Sequence, residues 1–280
     1  MSAFYEIPAY SNKFPLLVSK FSQFSFLAHW HKDIELVYVY EGQLRMSINS
    51  ETKILTSGEF GICCSGDVHF YDSEDLKCKA ILIVFSTDFI DSSISWPENS
   101  RFISSFVDHS LINELNLNMN ISQKIGSLLV EISDEISQNN PYCQIFIKSK
   151  LLEIHGILLR NIPRNTHSAN LTKSYLVIKK VQDVINYANH HYKEPITLSS
   201  AAALAGLGIS QFSKLFKSLC GMSFTAYLNN VRISKAEEML TNTTTSITDI
   251  ALECGFNSIR NFNRTYKALR HSAPSHLRKA

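Results

Sequence analysis

Two groups of side chains in this 280-residue sequence have the types and spacing to do chemistry. The first is His29, His31 and Glu35, with His69 further along the chain. Positions 29, 31 and 35 share parity, so on one strand their side chains point to one face. Two imidazoles and a carboxylate placed together, met by a third imidazole from another strand, suit a divalent metal ion with positions left open for substrate or oxygen. The same four groups suit a polar ligand pocket without metal. That second reading is preferred, and no cofactor is expected.

The second group is Ser210, Gln211, Ser213, Lys214 and Lys217, followed by Asn257, Ser258, Arg260, Asn261, Asn263, Arg264 and Lys267. Each set lies on the polar side of a short amphipathic stretch. The apolar sides are Phe212, Leu215 and Phe216 in one, and Phe256, Phe262 and Tyr266 in the other. Arg pairs with guanine through two hydrogen bonds, Asn or Gln with adenine, and Lys suits phosphate. One such stretch is no more than a solvated helix face. Two in one segment point to duplex DNA.

The elements around them support this. Each polar stretch follows a shorter helical segment and a glycine-bearing turn, Gly206-Leu207-Gly208 in the first unit and Cys254-Gly255-Phe256 in the second. A tight turn between helices needs a residue tolerant of positive φ, hence glycine. Helix, tight turn and second helix form the unit that lays its second helix in a major groove. Ser246, three residues before Asp249, marks a capping-box-like helix start. The charge agrees: residues 1–163 carry 12 Lys and Arg against 19 Asp and Glu, whereas residues 164–280 carry 15 against 6. An acidic half is joined to a half that meets a polyanion.

The acidic half has two textures. Residues 35–40, 44–48, 60–64 and 80–85 are short runs of β-branched and aromatic residues, separated by turn signals at Glu41-Gly42, Asn49-Ser50, Ser57-Gly58 and Ser65-Gly66-Asp67. Such spacing predicts an all-β sandwich or barrel. Further on, Ile125, Leu128, Ile132 and Ile136, then Ile147, Leu151, Ile154 and Leu158, recur at helical spacing on either side of Pro141. They predict an antiparallel helical hairpin that covers the barrel, pairs with a second subunit, or both. Residues 161–172 are polar and contain Pro163, so the boundary falls there. The division is residues 1–163, a linker at 164–172, and residues 173–280.

The six cysteines show no CxxC and no paired zinc spacing. Without a basic, apolar leader at the N-terminus they read as reduced thiols in the cytoplasm. The longest apolar run, residues 80–85, falls far short of the ~18 residues of a membrane span.

The run Ile247-Thr-Asp249-Ile250-Ala251, Cys254-Gly255-Phe256-Asn257-Ser258, Phe262, Arg264, Tyr266-Lys267 and Ala273-Pro274 closely resembles the signature of the AraC family of bacterial transcription regulators. Phe216-Lys217, Gly221, Ser223-Phe224, Arg232-Ile233, Ala236 and Leu240 look like that family's other half. The resemblance covers roughly residues 173–279 and implies seven helices. Tyr266 stands where Phe is usual, Ala273 where Thr is common, and Gly208 loosens the first turn. Residues His29-x-His31-x3-Glu35-x6-Gly42 and Gly58-x5-Cys64-x-Gly66-x2-His69 resemble the two cupin motifs of sensor domains common in this family, with Cys64 replacing proline.

The reading is α+β in two domains. A cupin-like β-barrel with a helical hairpin is followed by an all-α domain with two helix-turn-helix units. The expected protein is no enzyme but a DNA-binding regulator, controlled by a small-molecule effector such as a sugar. Its expected partners are double-stranded DNA, the effector and a second copy of itself, with RNA polymerase as a further candidate and no membrane. The rivals are a cupin-type metal-dependent oxygenase or isomerase fused to DNA-binding helices, and a constitutive DNA-binding protein whose barrel only dimerises.

Overall fold

The computed structural model describes residues 15–22, 25–73, 76–90, 101–118, 120–165 and 168–278. The N-terminal stretch read above for a leader therefore lies almost wholly outside the described residues, as do residues 166, 167, 279 and 280. The chain packs as two compact units, one built around Trp30–Leu176 and the other around Val177–Ala280.

The first unit is built on β1 (Leu16–Ser22), β2 (Phe26–His29), β3 (Ile34–Ile48), β4 (Glu51–Thr56), β5 (Phe60–Cys63), β6 (His69–Asp72) and β7 (Cys78–Phe85). Then come α1 (Thr87–Ile90), β8 (Arg101–Phe102), β9 (Phe106–Val107), α2 (His109–Glu114), α3 (Asn120–Gln138), α4 (Cys143–Asn161) and β10 (Arg164–Asn165). Strands β1, β7, β3, β5 and β9 pair in that order. The second half of β3 also pairs with β4 and β6, and β6 pairs with β2.

The 15-residue β3 thus serves two layers. Its continuity corrects one expectation: Glu41-Gly42 is no turn but a bulge inside the strand, where the register to β7 shifts between Val39 and Glu41. Gly42 holds φ +79°, and a Cβ there would lie 2.0 Å from the Lys77 carbonyl oxygen. Only glycine fits this close pass, and the bulge bends the strand. Asn49 and Ser50 do form a turn, both at positive φ, as the two-residue β3–β4 hairpin requires.

Alternation along β3 separates two cores. Ile34 and Leu36 join Ile81, Ile83 and Phe85 of β7 beneath the helical hairpin, against Ile125, Leu128 and Ile132 of α3 and Ile147, Leu151, Ile154 and Leu158 of α4. Val37, Val39, Met46 and Ile48 turn the other way, toward Leu55, Tyr71, Leu82, Val84 and Phe106. Glu35 has the parity of the second set, so a carboxylate is carried into an apolar interior.

The second unit is helical: α5 (Ser168–His190), α6 (Leu198–Leu204), α7 (Ile209–Cys220), α8 (Phe224–Asn242), α9 (Ile247–Glu253), α10 (Ile259–Arg270) and α11 (Pro274–Arg278). Both β10 and the start of α5 fall within the segment expected as a linker. Side-chain caps set the helix starts. Thr197 and Ser200 form a reciprocal box on α6, while Ser223, Ser246 and Ser258 each accept the N–H three residues on. The α6–α7 and α9–α10 turns pivot on Gly206 and Gly255, at φ +61° and +84°. Phe224 packs edge-to-face with Phe212 and Phe216, Tyr227 with Phe216, and Phe256 with Phe262, while the Phe212–Phe216 and Phe262–Tyr266 pairs are tilted. No helix among the described residues is long and apolar enough to cross a membrane.

Candidate functional site

The four sequence-chosen pocket residues come together. The ligand-type atoms of His29, His31, Glu35 and His69 all lie within 4.8 Å of one another, and all four side chains are buried. The reason differs from shared parity on one strand. β2 ends at His29, His31 lies in the connection, and β3 begins only at Ile34. His69 opens β6, and the connections are tied together by the Gly66 N–H donating to the His31 carbonyl at 2.9 Å. Buried Asp67 pins the same turn by accepting from the Cys64 N–H at 2.8 Å and from the Arg101 guanidinium.

Each imidazole is oriented by the backbone. Nδ1 of His29 meets the Leu27 carbonyl at 2.9 Å, Nδ1 of His31 that of Asp33 at 2.9 Å, and Nδ1 of His69 that of Asp67 at 2.8 Å. A carbonyl only accepts, so Nδ1 carries the proton and Nε2 is the atom offered to the pocket. Nε2 of His31 stands 3.4 Å from Glu35 Oε2, and Nε2 of His69 stands 3.4 Å from Oε1. Burial by itself pushes the Glu35 carboxyl up, but the charge of His69 and hydrogen bonds from His31 and His69 outweigh it and hold the group well below the usual carboxylate range. An anion is therefore kept inside an apolar core, stable only opposite a cation. Backbone-oriented imidazoles with Nε2 turned inward fit a divalent metal ion as well as protons.

Sequence reasoning missed one neighbour. Cys63 lies opposite Glu35 in the β3–β5 register, is fully buried, and places Sγ 3.9 Å from Oε1. The Cys-Cys dipeptide was visible; the register was not.

The other sequence-chosen residues fall on two helices. On α7, Ser210, Gln211, Lys214 and Lys217 are exposed and Ser213 half-buried. On α10, Arg260, Asn263, Arg264 and Lys267 are exposed and Asn261 half-buried, with Asn257 and Ser258 exposed just before the helix. Ser210, Lys214 and Lys217 have the i, i+4, i+7 spacing of one face, and Arg260, Arg264 and Lys267 repeat it at the same positions from the helix start. Three of these residues are also engaged locally. Ser258 caps α10, and Asn261 Oδ1 accepts from Arg264 Nη2 at 3.0 Å. Ile209, half exposed at the first position of α7, belongs to the same end and was not singled out. An exposed apolar residue next to Ser210 and Gln211 was its only signal.

A sheet with a buried polar pocket followed by two helix-turn-helix units is the architecture of a sensor joined to a nucleic-acid-binding module. The family model described as AraC-like ligand binding domain matches residues 16–155, and the one described as helix-turn-helix domain matches residues 201–280. The chain belongs to the AraC family of transcriptional regulators. It is 28% identical over 244 residues to an HTH-type transcriptional regulator of Staphylococcus aureus (strain COL), covering 82% of this chain and 32% of that protein. The chain thus spans about a third of that relative's length. The HTH-type regulator YdeC of Bacillus subtilis is 23% identical over 255 residues, covering 90% of this chain and 85% of that one. The solved DNA-binding domain of AdpA, in complex with a target DNA, is 25% identical over 36% of this chain and 90% of its own, with a TM-score of 0.35.

Proposed function

We propose that this protein is a sequence-specific DNA-binding transcriptional regulator, controlled by an effector held at His29, His31, Glu35 and His69. The observation that carries the reading is the repeated face: α7 and α10 present polar and cationic side chains at matching helix positions, in the half of the chain with 15 Lys and Arg against 6 Asp and Glu. Residues 173–280 bind the duplex, with α7 and α10 in major grooves. Residues 1–163 sense the effector. An effector controls such a protein only if it binds the DNA-competent and incompetent states with different affinity. The exposed Tyr142, Ile145 and Phe146 on and beside α4 favour a second copy of the chain as partner.

The test is binding of the full chain to duplex DNA across a salt series. Each phosphate neutralised contributes about −0.9 to the log–log slope, so affinity falls steeply as salt rises. A salt-independent affinity, or none, overturns the reading.

A further inference from the structure

Arg232, half-buried in the middle of α8, is not among the residues read above as facing DNA, yet it touches both helix-turn-helix halves. Its Nε donates to the Tyr192 carbonyl at 2.8 Å and its Nη2 to the Glu194 carbonyl at 2.8 Å, both in the connection between α5 and α6. Its guanidinium also stands over the ring of Phe256, in the α9–α10 turn, 5.8 Å from the centroid. Phe256 in turn packs edge-to-face on Phe262 of α10, with centroids 5.2 Å apart. The two halves meet backbone to backbone at the same place. A Cβ on Gly255 would lie 2.6 Å from the Tyr192 carbonyl oxygen, 2.9 Å from that of Lys193 and 3.0 Å from Arg232 Nε. The apolar packing is divided along α8: Phe224 and Tyr227 serve Phe212 and Phe216 of α7, whereas Ile233, Ala236 and Leu240 join Phe256, Phe262 and Tyr266. Arg232 sits where the first set gives way to the second.

We propose that Arg232 is a positioning residue for DNA recognition. By clamping the α5–α6 connection to the α9–α10 turn, it fixes the separation and rotation of α7 relative to α10, and so the spacing of the two duplex segments they read. The inference rests on the DNA-binding reading above and adds to it what sets that spacing. A guanidinium suits the task because its planar fork offers two N–H groups to two carbonyls at once and its face to an aromatic ring, which an ammonium cannot match. Duplex geometry makes spacing a stringent property. One base pair added between the two segments moves them about 3.4 Å apart and turns one against the other by about 35°. A rigid junction cannot follow that change. A loosened one can, but it must be ordered on binding.

The test uses the full chain and a duplex that the wild type selects from a random-sequence pool. Base preferences lost in Gln211→Ala and in Arg260→Ala locate the segments read by α7 and α10, and one base pair is then inserted or deleted between them. Wild-type affinity is expected to fall about 10- to 100-fold on either altered duplex, as base contacts of one helix are lost. In Arg232→Ala, affinity for the selected duplex falls about tenfold for want of a preordered junction, and the penalties for altered spacing shrink toward none. The ratio between duplexes separates positioning from stability, because partial unfolding lowers affinity by one factor on every duplex. Arg232→Lys, which keeps the charge and can reach one carbonyl, is expected to give intermediate penalties, and it carries the test if Arg232→Ala does not fold. Penalties equal to the wild type's in the variant that carries the test, or a wild type indifferent to spacing, overturn the proposal and leave the regulator reading intact. A wild type that selects no duplex overturns both.

Discussion

Arg270, in the last turn of α10, holds Glu237 of α8 at two points, with Nε 2.8 Å from Oε1 and Nη2 2.9 Å from Oε2. The Tyr266 hydroxyl approaches the same Oε1 at 3.4 Å. Helix α10 is thus tied to the long α8 by a planar fork as well as by its apolar face. Arg270→Ala is expected to destabilise the helical unit by about 1–2 kcal/mol, low in the range for charge-assisted bonds because both side chains keep some contact with water. Arg270→Lys recovers only part, since an ammonium cannot reproduce the fork. Urea unfolding of the three proteins measures the order, and equal midpoints contradict it.

Gly42 gives a second expectation. Alanine there must adopt φ near +79° and meet the Lys77 carbonyl oxygen at 2.0 Å. The strained backbone alone costs about 1–3 kcal/mol, and the clash adds to it. Gly58, also at positive φ but with no atom within 4 Å of a Cβ, is the control. Gly42→Ala is expected to lower the unfolding midpoint of the sheet unit well beyond Gly58→Ala.

The sheet unit also carries an acid-sensitive group away from the pocket. Burial pushes the Glu59 carboxyl up, but the N–H groups of His109 and Thr56, each 2.7 Å away, and the His109 and Thr56 side chains pull it below its ordinary 4.5. A depressed carboxyl contributes stability that is complete above the unfolded value and lost as pH falls through the folded one. Stability of the sheet unit is expected to drop as pH is taken from about 5 downward. In Glu59→Gln that acid limb is shallower, while the protein is weaker at neutral pH. Denaturation midpoints at a series of pH values decide it, and parallel acid limbs for the two proteins contradict the assignment.

On α10, Arg260 lies in the first turn and Lys267 near the end. Arg260→Ala is expected to relax sequence preference at one or two base pairs, costing about 1–3 kcal/mol on the preferred site. Lys267→Ala is expected to weaken all sequences alike and to reduce the salt slope by about one unit. A binding series on single-base variants of a selected duplex, at fixed salt, separates the two. Equal losses on every variant for Arg260→Ala place that side chain on phosphate.

The helical unit was largely legible in the sequence because its determinants are local. Ser246 caps a helix within three residues of itself, Gly206 and Gly255 turn where positive φ is needed, and Phe212 with Phe216 or Phe262 with Tyr266 recur at one helical turn. These interactions close within a few residues, so spacing along the chain reports them directly. The types of the pocket residues were legible for a weaker reason: imidazole and carboxylate have little business in an apolar run unless they meet each other. Their arrangement was not. The parity argument put His29, His31 and Glu35 on one strand, whereas the chain breaks between β2 and β3 and brings them together through a turn. Glu41-Gly42 read as a turn because the same dipeptide serves turns and bulges, and only the partner strand distinguishes them. Cys63 meets Glu35, 28 positions away, and Glu237 meets Arg270 across 33. Pairings of that range are set by strand register and helix packing, which depend on the summed burial of two whole faces; no residue near either partner encodes them, so the tertiary structure alone decides which side chains share the pocket.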